Sequence, residues 1–208
     1  MLMAEMIRKA ILVSFVILVT SAAYAADSRT FNIKSDGKNL ASFHLPDALE
    51  AIEGTTTAVS GTITADAANP AASTVEVSID LGSLDTGIAL RNRHMRERYV
   101  EAGKYPRASF KSVSVSSPTT PIPANQAVDL AVTGDFTMHG VTKRMTAPVR
   151  VILIPESDIT RNTRGSGDWI HATTTFKLTL SDFGINVPDG FVDDTLDAKL
   201  DVFALAAK

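Results

Sequence analysis

The chain of 208 residues contains no cysteine, so neither a disulfide nor a catalytic thiol can form, and packing alone must stabilise the fold. Excess charge of one sign is also missing, because 20 Lys and Arg stand against 23 Asp and Glu, for a net charge of −3. A mildly acidic chain has no positive field to attract phosphate backbones. We therefore predict no nucleic-acid partner.

A hydrophobic run of membrane-spanning length is absent as well. The apolar run Ala10–Val19 is about half of the roughly twenty residues that a transmembrane helix needs. It follows the basic pair Arg8-Lys9 and precedes the small-residue triplet Ala23-Tyr24-Ala25. This arrangement is typical of a secretory signal peptide. We predict cleavage after Ala25, a single mature domain over 26–208 and a periplasmic location.

Motifs for catalysis are scarce. The chain has no Gly-x-Ser-x-Gly elbow, and its four histidines form neither a His-x-His nor a His-x-x-x-His pair. We predict no catalytic residue, no metal site, no cofactor and no enzymatic activity. His139 is interpreted as a turn residue whose side chain binds loop backbone.

What the chain does have is alternation with a period of two. In the segment 74–81, Val75, Val77, Ile79 and Leu81 share one face, and polar residues occupy the other. Such alternation indicates strands with one buried face. Long strands favour a closed barrel over a sandwich, since closure removes exposed edges. We predict an all-β antiparallel barrel of eight to ten strands, near 30–35, 39–45, 57–66, 73–81, 107–116, 126–138, 143–154, 169–181 and 195–206.

One main helix is expected between the strands, over about 88–102. The segment 90–107 carries six cations, and Met95 and Tyr99 lie four residues apart, as one helix face requires. Gly103 stands where a C-terminal cap belongs. We predict a lid with a charged outer face and an apolar inner face. A second short helix or turn is expected over 46–54, with Leu49 and Ile52 facing inward.

Three segments together resemble the YceI-like family of secreted bacterial proteins. They read VEVSIDLGSLDTG (75–87), LRNRHMRERYVEAGKYPRASF (90–110) and VTGDFTMHGVTKRMTAPV (132–149). The resemblance implies a lipocalin-like barrel that holds a polyisoprenoid, a homodimer, and no catalytic residues. The segment 44–61 departs from the family pattern, since Thr and Val replace its aromatic residues. This departure indicates a variant branch whose ligand could differ.

The inward faces and the predicted lid define a candidate ligand-binding set. Arginine can hold two phosphate oxygens, so Arg91 and Arg93 are candidate clamps for a phosphate at the barrel mouth. The remaining candidates are apolar or aromatic residues of the strands, the helix and their connections: Phe43, Val77, Leu81, Leu84, Leu90, Met95, Tyr99, Phe110, Phe136, Met138, Phe176, Leu178, Phe183 and Ile185.

Three functions remain open from the sequence. The first is a periplasmic carrier for a long apolar amphiphile, such as a quinone or a polyprenyl phosphate, with transient encounters with the membrane. The second is a stress-related structural or interaction protein whose barrel core is filled and binds no ligand. The third is a hydrolase or isomerase that acts on a lipid. An empty interior would favour the first.

Overall fold

The computed structural model describes residues 28–46, 51–187 and 194–207. The predicted signal peptide and Leu49 lie outside the described residues. Within them, no helix has both the length and the apolar character that crossing a bilayer requires.

The described chain forms ten antiparallel strands and two short α-helices. The strands are β1 (Arg29–Ile33), β2 (Leu40–Leu45), β3 (Ile52–Thr56), β4 (Val59–Ala65), β5 (Thr74–Asp80), β6 (Arg107–Ser116), β7 (Ala127–Met138), β8 (Val141–Ile154), β9 (Trp169–Thr179) and β10 (Thr195–Ala206). The helices are α1 (Ala89–His94), which continues as a π-helical segment over Met95–Tyr99, and α2 (Asp158–Thr163).

Eight of these strands close into a barrel. Their order around it is β1, β4, β5, β6, β7, β8, β9 and β10, and β10 then pairs with β1 again. The two further strands, β2 and β3, pair with each other. β2 also pairs with residues 197–201 of β10, next to residues 204–206, which pair with β1. The predicted all-β antiparallel barrel is confirmed.

A buried asparagine bridges the break between β1 and β2. Both strands pair with β10, and the residues 34–39 loop out between them. Asn39 is only 1% exposed. Its side-chain amide donates to the Lys34 carbonyl (2.6 Å), and its side-chain oxygen accepts from the Phe203 N–H (2.8 Å). The side chain thus takes the place of ladder hydrogen bonds that the loop interrupts.

One local prediction was wrong, and the length of another element was overestimated. Residues 52–56 form β3, whereas a helix or turn was expected there, because this segment pairs along β2 and buries Gly54 under the Phe43 ring. The main helix over 88–102 is shorter than predicted: it ends as an α-helix at His94 and as a π-helix at Tyr99. The chain then turns at Glu101, whose φ of 45° lies outside the helical region.

The barrel interior contains two apolar clusters. The helix end of the barrel, where the β5–β6 connection carries α1, has one cluster around Leu81, Phe136 and Leu178. The opposite end has the other, around Phe31 and Val151. The side chains of both clusters point into the same closed barrel. The volume left open between the two clusters therefore decides whether the interior is filled or hollow.

We expect Asn39→Ala to lower the free energy of unfolding by about 2–3 kcal/mol, because two buried backbone groups lose their partners. Urea unfolding followed by circular dichroism measures this change. Asn69→Ala is the matched control, since Asn69 is exposed and its side chain caps no backbone group. Equal stability of the two variants would contradict a bridging role for Asn39.

Candidate functional site

The barrel encloses a cavity of about 860 Å³. Its wall takes side chains from both apolar clusters, so it runs from Phe31 near one end to Met95 and Tyr99 near the other. Pockets that hold drug-sized ligands have volumes of roughly 300–1,000 Å³. The cavity lies in the upper part of this range, and the barrel core is therefore hollow.

The helix that covers one end of the cavity is fastened by two arginines. The Arg91 guanidinium donates to the Thr86 hydroxyl (3.0 Å) and to the Thr86 carbonyl (2.8 Å). The Arg96 Nε donates to the Leu84 carbonyl (3.1 Å). Both side chains thus reach back to the loop that precedes α1, and they hold the helix across the barrel end.

The turn before α1 is ordered by a second set of polar contacts. The Asn92 side-chain oxygen accepts from the Thr86 N–H and hydroxyl, each at 2.7 Å, and its amide donates to Asp85 (2.6 Å). Hydrogen bonds from the Gly87 N–H and from Asn92 hold the pKa of Asp85 below its usual value. These contacts fix the entry into the helix without a side-chain cap at Ile88.

His139 joins three segments at the same end of the barrel. It occupies the turn between β7 and β8 with a φ of 51°, as a turn residue. Its Nδ1 donates to the Phe183 carbonyl (2.9 Å), and its Nε2 lies 3.0 Å from the Glu101 carboxylate. Tyr105 packs edge-on against the ring. His139 therefore ties the end of the helical segment to the β9–β10 connection, in agreement with its predicted role.

An ion pair lies on the cavity wall at the opposite end. Arg29, at the start of β1, pairs with Asp168, which directly precedes β9, and both residues contact the cavity. Partial burial pushes the pKa of Asp168 upward, but the Glu156 backbone N–H and the Arg29 guanidinium outweigh it, so this pKa is lowered. The pair links the starts of β1 and β9, the two strands that flank β10 in the barrel.

Most residues of the predicted binding set line the cavity, and their role in binding stays a prediction. Arg93 does not lie on the cavity wall: it is exposed on the outer face of α1, which corrects its expected position at the rim. Phe183 lies behind the wall, where its ring packs against Phe136. The residues that do line the cavity are Phe43, Val77, Leu81, Leu84, Leu90, Arg91, Met95, Tyr99, Phe110, Phe136, Met138, Phe176, Leu178 and Ile185.

The predicted set missed much of the wall at the end opposite α1. Phe31, Ile63, Val151, Ile170 and Val202 line the cavity there. Their signal is the same alternation that identified the other strands, since each lies on the buried face of its strand. The prediction relied on the aromatic residues and the basic helix, and it therefore covered mainly one end of the barrel.

The polar chemistry of the cavity is sparse. Among the described residues, no group of three or more His, Asp or Glu side chains lies close enough together to hold a metal ion. In the part of the chain that the structure describes, the charged or imidazole residues that contact the cavity are Arg29, Arg91, His94, Asp168 and Lys199, and Lys199 is exposed on the outer face of β10. The arrangement can enclose an apolar chain and offer polar contacts at its extremities.

A closed antiparallel barrel with a hollow apolar interior and a helix across one end is the architecture of lipocalin-like binding proteins. The chain belongs to the YceI-like family, because the model of the YceI-like domain matches residues 24–204.

Relatives agree with this assignment. The Escherichia coli protein YceI (strain UMN026) is 34% identical over 155 residues, which cover 71% of each chain. A UPF0312 protein of Pseudomonas putida is 35% identical over 164 residues, 76% of this chain and 75% of the relative. Among solved structures, Burkholderia cenocepacia BcnA has a TM-score of 0.65 at 20% identity and covers 82% of this chain and 98% of its own. A polyisoprenoid binding domain from Saccharophagus degradans has a TM-score of 0.61 at 16% identity, with coverages of 87% and 100%.

We expect two phenylalanines of the wall to respond differently to truncation. Phe136 is 5% exposed and packs against both Phe176 and Phe183, so Phe136→Ala should cost about 3–4 kcal/mol of stability. Phe176 is only half-buried, so Phe176→Ala should cost about 1–2 kcal/mol. Chemical unfolding of both variants measures the difference. Equal costs near 4 kcal/mol would indicate that the interior around Phe176 is packed and not open.

Proposed function

We propose that the protein is a periplasmic carrier that encloses a long apolar amphiphile, of the polyisoprenoid type, in its barrel. The single observation that carries this proposal is the hollow interior of about 860 Å³ with a wall of aliphatic and aromatic side chains. The protein binds its cargo without chemistry and without a cofactor.

The hydrophobic effect supports an apolar occupant. Each buried CH₂ group contributes about 0.8 kcal/mol, so one five-carbon isoprene unit contributes roughly 3–4 kcal/mol before the cost of ordering the chain. A rim contact between an arginine and a phosphate contributes at most about 1 kcal/mol when it is exposed. The hydrocarbon tail thus provides the affinity, and polar groups at the cavity ends determine the orientation.

Arg91 is the arginine best placed to orient a polar head at the lid. It lines the cavity, while its Nε and one Nη bind Thr86, and its other Nη has no hydrogen-bond partner among the described residues. Arg93 faces away, so the clamp is reduced to one arginine. A polyprenyl phosphate and a quinone remain the two candidate ligands, and they differ in the charge of the head that Arg91 would contact.

The relatives support the ligand class. The Saccharophagus degradans domain that shares the fold is described as polyisoprenoid binding. The alternative function, a structural protein with a filled core, predicts interlocked side chains in the barrel centre. The open volume between the two apolar clusters favours the carrier.

The test is the lipid content of the native protein. We expect solvent extraction of protein purified without detergent from its bacterial source, followed by mass spectrometry, to yield a long-chain lipid. The delipidated protein should take up a fluorescent prenyl probe. Empty native protein that also fails to take up the probe would disprove the carrier function.

A cavity-filling variant sharpens this test. Ala172 lines the cavity on β9, so Ala172→Phe should reduce probe uptake at least tenfold by occupying part of the volume. Ala131→Phe is the matched control, because Ala131 is exposed on β7 and does not line the cavity. Equal uptake by both variants would place the probe outside the barrel.

Export is the second part of the proposal. The basic pair, apolar run and small-residue triplet of residues 8–25 support cleavage after Ala25. We expect the intact mass of the protein from a periplasmic fraction to correspond to a chain that begins at Ala26. A full-length mass, or recovery from the cytoplasm alone, would contradict this part.

A further inference from the structure

The basic residues of the segment 90–107 differ from the other cations of the protein in their partners. This segment carries six cations and two carboxylates, and none of its cations forms an ion pair with a described residue. Most cations elsewhere are paired with a carboxylate: Arg29, Lys38, Lys111, Lys143, Arg144, Arg150, Arg161 and Lys177.

Four of these cations lie on the helical segment and divide into two groups by their partners, while Lys104 and Arg107 follow that segment. Arg91 and Arg96 bind backbone and hydroxyl oxygens of the preceding loop. Arg93 and Arg98 are exposed and have neither a hydrogen-bond nor an ion-pair partner among the described residues. The second group, with the exposed Glu97 between its two arginines in the chain, therefore forms a surface of net positive charge whose arginines pair with no described residue.

Exposed apolar side chains adjoin this positive surface. Ile88 is 48% exposed and Leu90 is 53% exposed, and both also line the cavity. The other large hydrophobic residues with comparable exposure, such as Val113 and Ile159, lie on separate elements. Because Ile88 and Leu90 are exposed to solvent and also line the cavity, we take the opening beside them as the cavity entrance.

A basic, amphipathic surface of this kind fits the headgroup region of an anionic bilayer. Arginines near a negatively charged membrane gain about 1 kcal/mol each, and apolar neighbours gain by entering the boundary with the acyl chains. A soluble acidic partner would satisfy the charges but would offer no reason for two apolar residues at the cavity entrance.

We infer that α1, its preceding loop and the π-helical segment that follows form a docking surface for an anionic lipid bilayer, with Arg93 and Arg98 contacting headgroups and Ile88 and Leu90 inserting beside them. Docked in this way, the cavity entrance faces the membrane, so an apolar chain can pass from bilayer to barrel without crossing water. This inference rests on the proposed carrier function, because docking serves to transfer an apolar chain between the membrane and the cavity. Vesicle binding by itself does not depend on an occupied cavity.

Sedimentation with lipid vesicles tests the inference. We expect the protein to bind vesicles of phosphatidylcholine that contain a quarter phosphatidylglycerol, and not vesicles of pure phosphatidylcholine. Binding should weaken strongly at roughly 1 M salt, where the screening length falls to about 3 Å. Equal binding to both vesicle types, or no binding to either, would overturn the docking surface.

A charge variant with a matched control locates the surface. Arg93→Gln combined with Arg98→Gln should lower the partition coefficient onto the anionic vesicles roughly thirtyfold, about fivefold for each arginine. Lys34→Gln combined with Arg150→Gln removes the same charge from exposed sites outside the segment and should lower it less than threefold. Similar losses in the two variants would show only a general attraction by net charge and would overturn the assignment.

An inserted fluorophore tests the depth of contact. Ala89 is exposed and does not line the cavity, so Ala89→Trp reports on the helix without changing the wall. The emission should shift to the blue with anionic vesicles and stay unchanged with heparin, a soluble polyanion. A shift with heparin, or none with vesicles, would overturn insertion. Uptake of the prenyl probe without vesicles is measured in parallel, so failure of docking and failure of the cavity are distinguishable.

Discussion

The hollow interior depends on the closure of the barrel by backbone hydrogen bonds between β1 and β10. Only three residues of β1, Phe31 to Ile33, pair directly with β10. The remaining length of β10 is completed by β2, after a loop that Asn39 bridges with its side chain. Because every strand of the ring has two neighbours, the wall stands without a filled centre. Inward side chains need only cover the wall, and they need not meet one another.

The two ends of this barrel carry different polar contacts. At one end, a salt bridge between Arg29 and Asp168 joins the starts of two strands. At the other, the helical segment is held by arginines that reach backbone oxygens and by the contact of His139 with Glu101. The arginine and histidine contacts fix the ends of the lid. Its N-terminal turn exposes Ile88 and Leu90. Arg91 and Arg96 hold the helical segment in place, whereas Arg93 and Arg98 are exposed. These two roles account for the number of arginines in one short segment.

Much of the fold could be predicted from the sequence, because period-two alternation is a local pattern that survives in any sheet with one buried face. The strands β5 to β10 follow it over long stretches. The strand β3 could not be predicted in this way. Its five residues include Gly54 and two threonines, and only pairing with β2 and cover from Phe43 make it a strand. The length of the helix was also overestimated, since helix propensity does not reveal the turn that Glu101 makes at positive φ.

The sequence alone determined the class of fold, the family resemblance and which strand faces point inward, because each of these depends on residue patterns within a few positions. Tertiary structure alone decided that the inward faces leave an open volume, that Arg93 points away from it while Arg91 lines it, and that wall residues come from both ends of the barrel. These facts depend on the barrel diameter and on the register between distant strands. Neither quantity is written in any single segment of the chain.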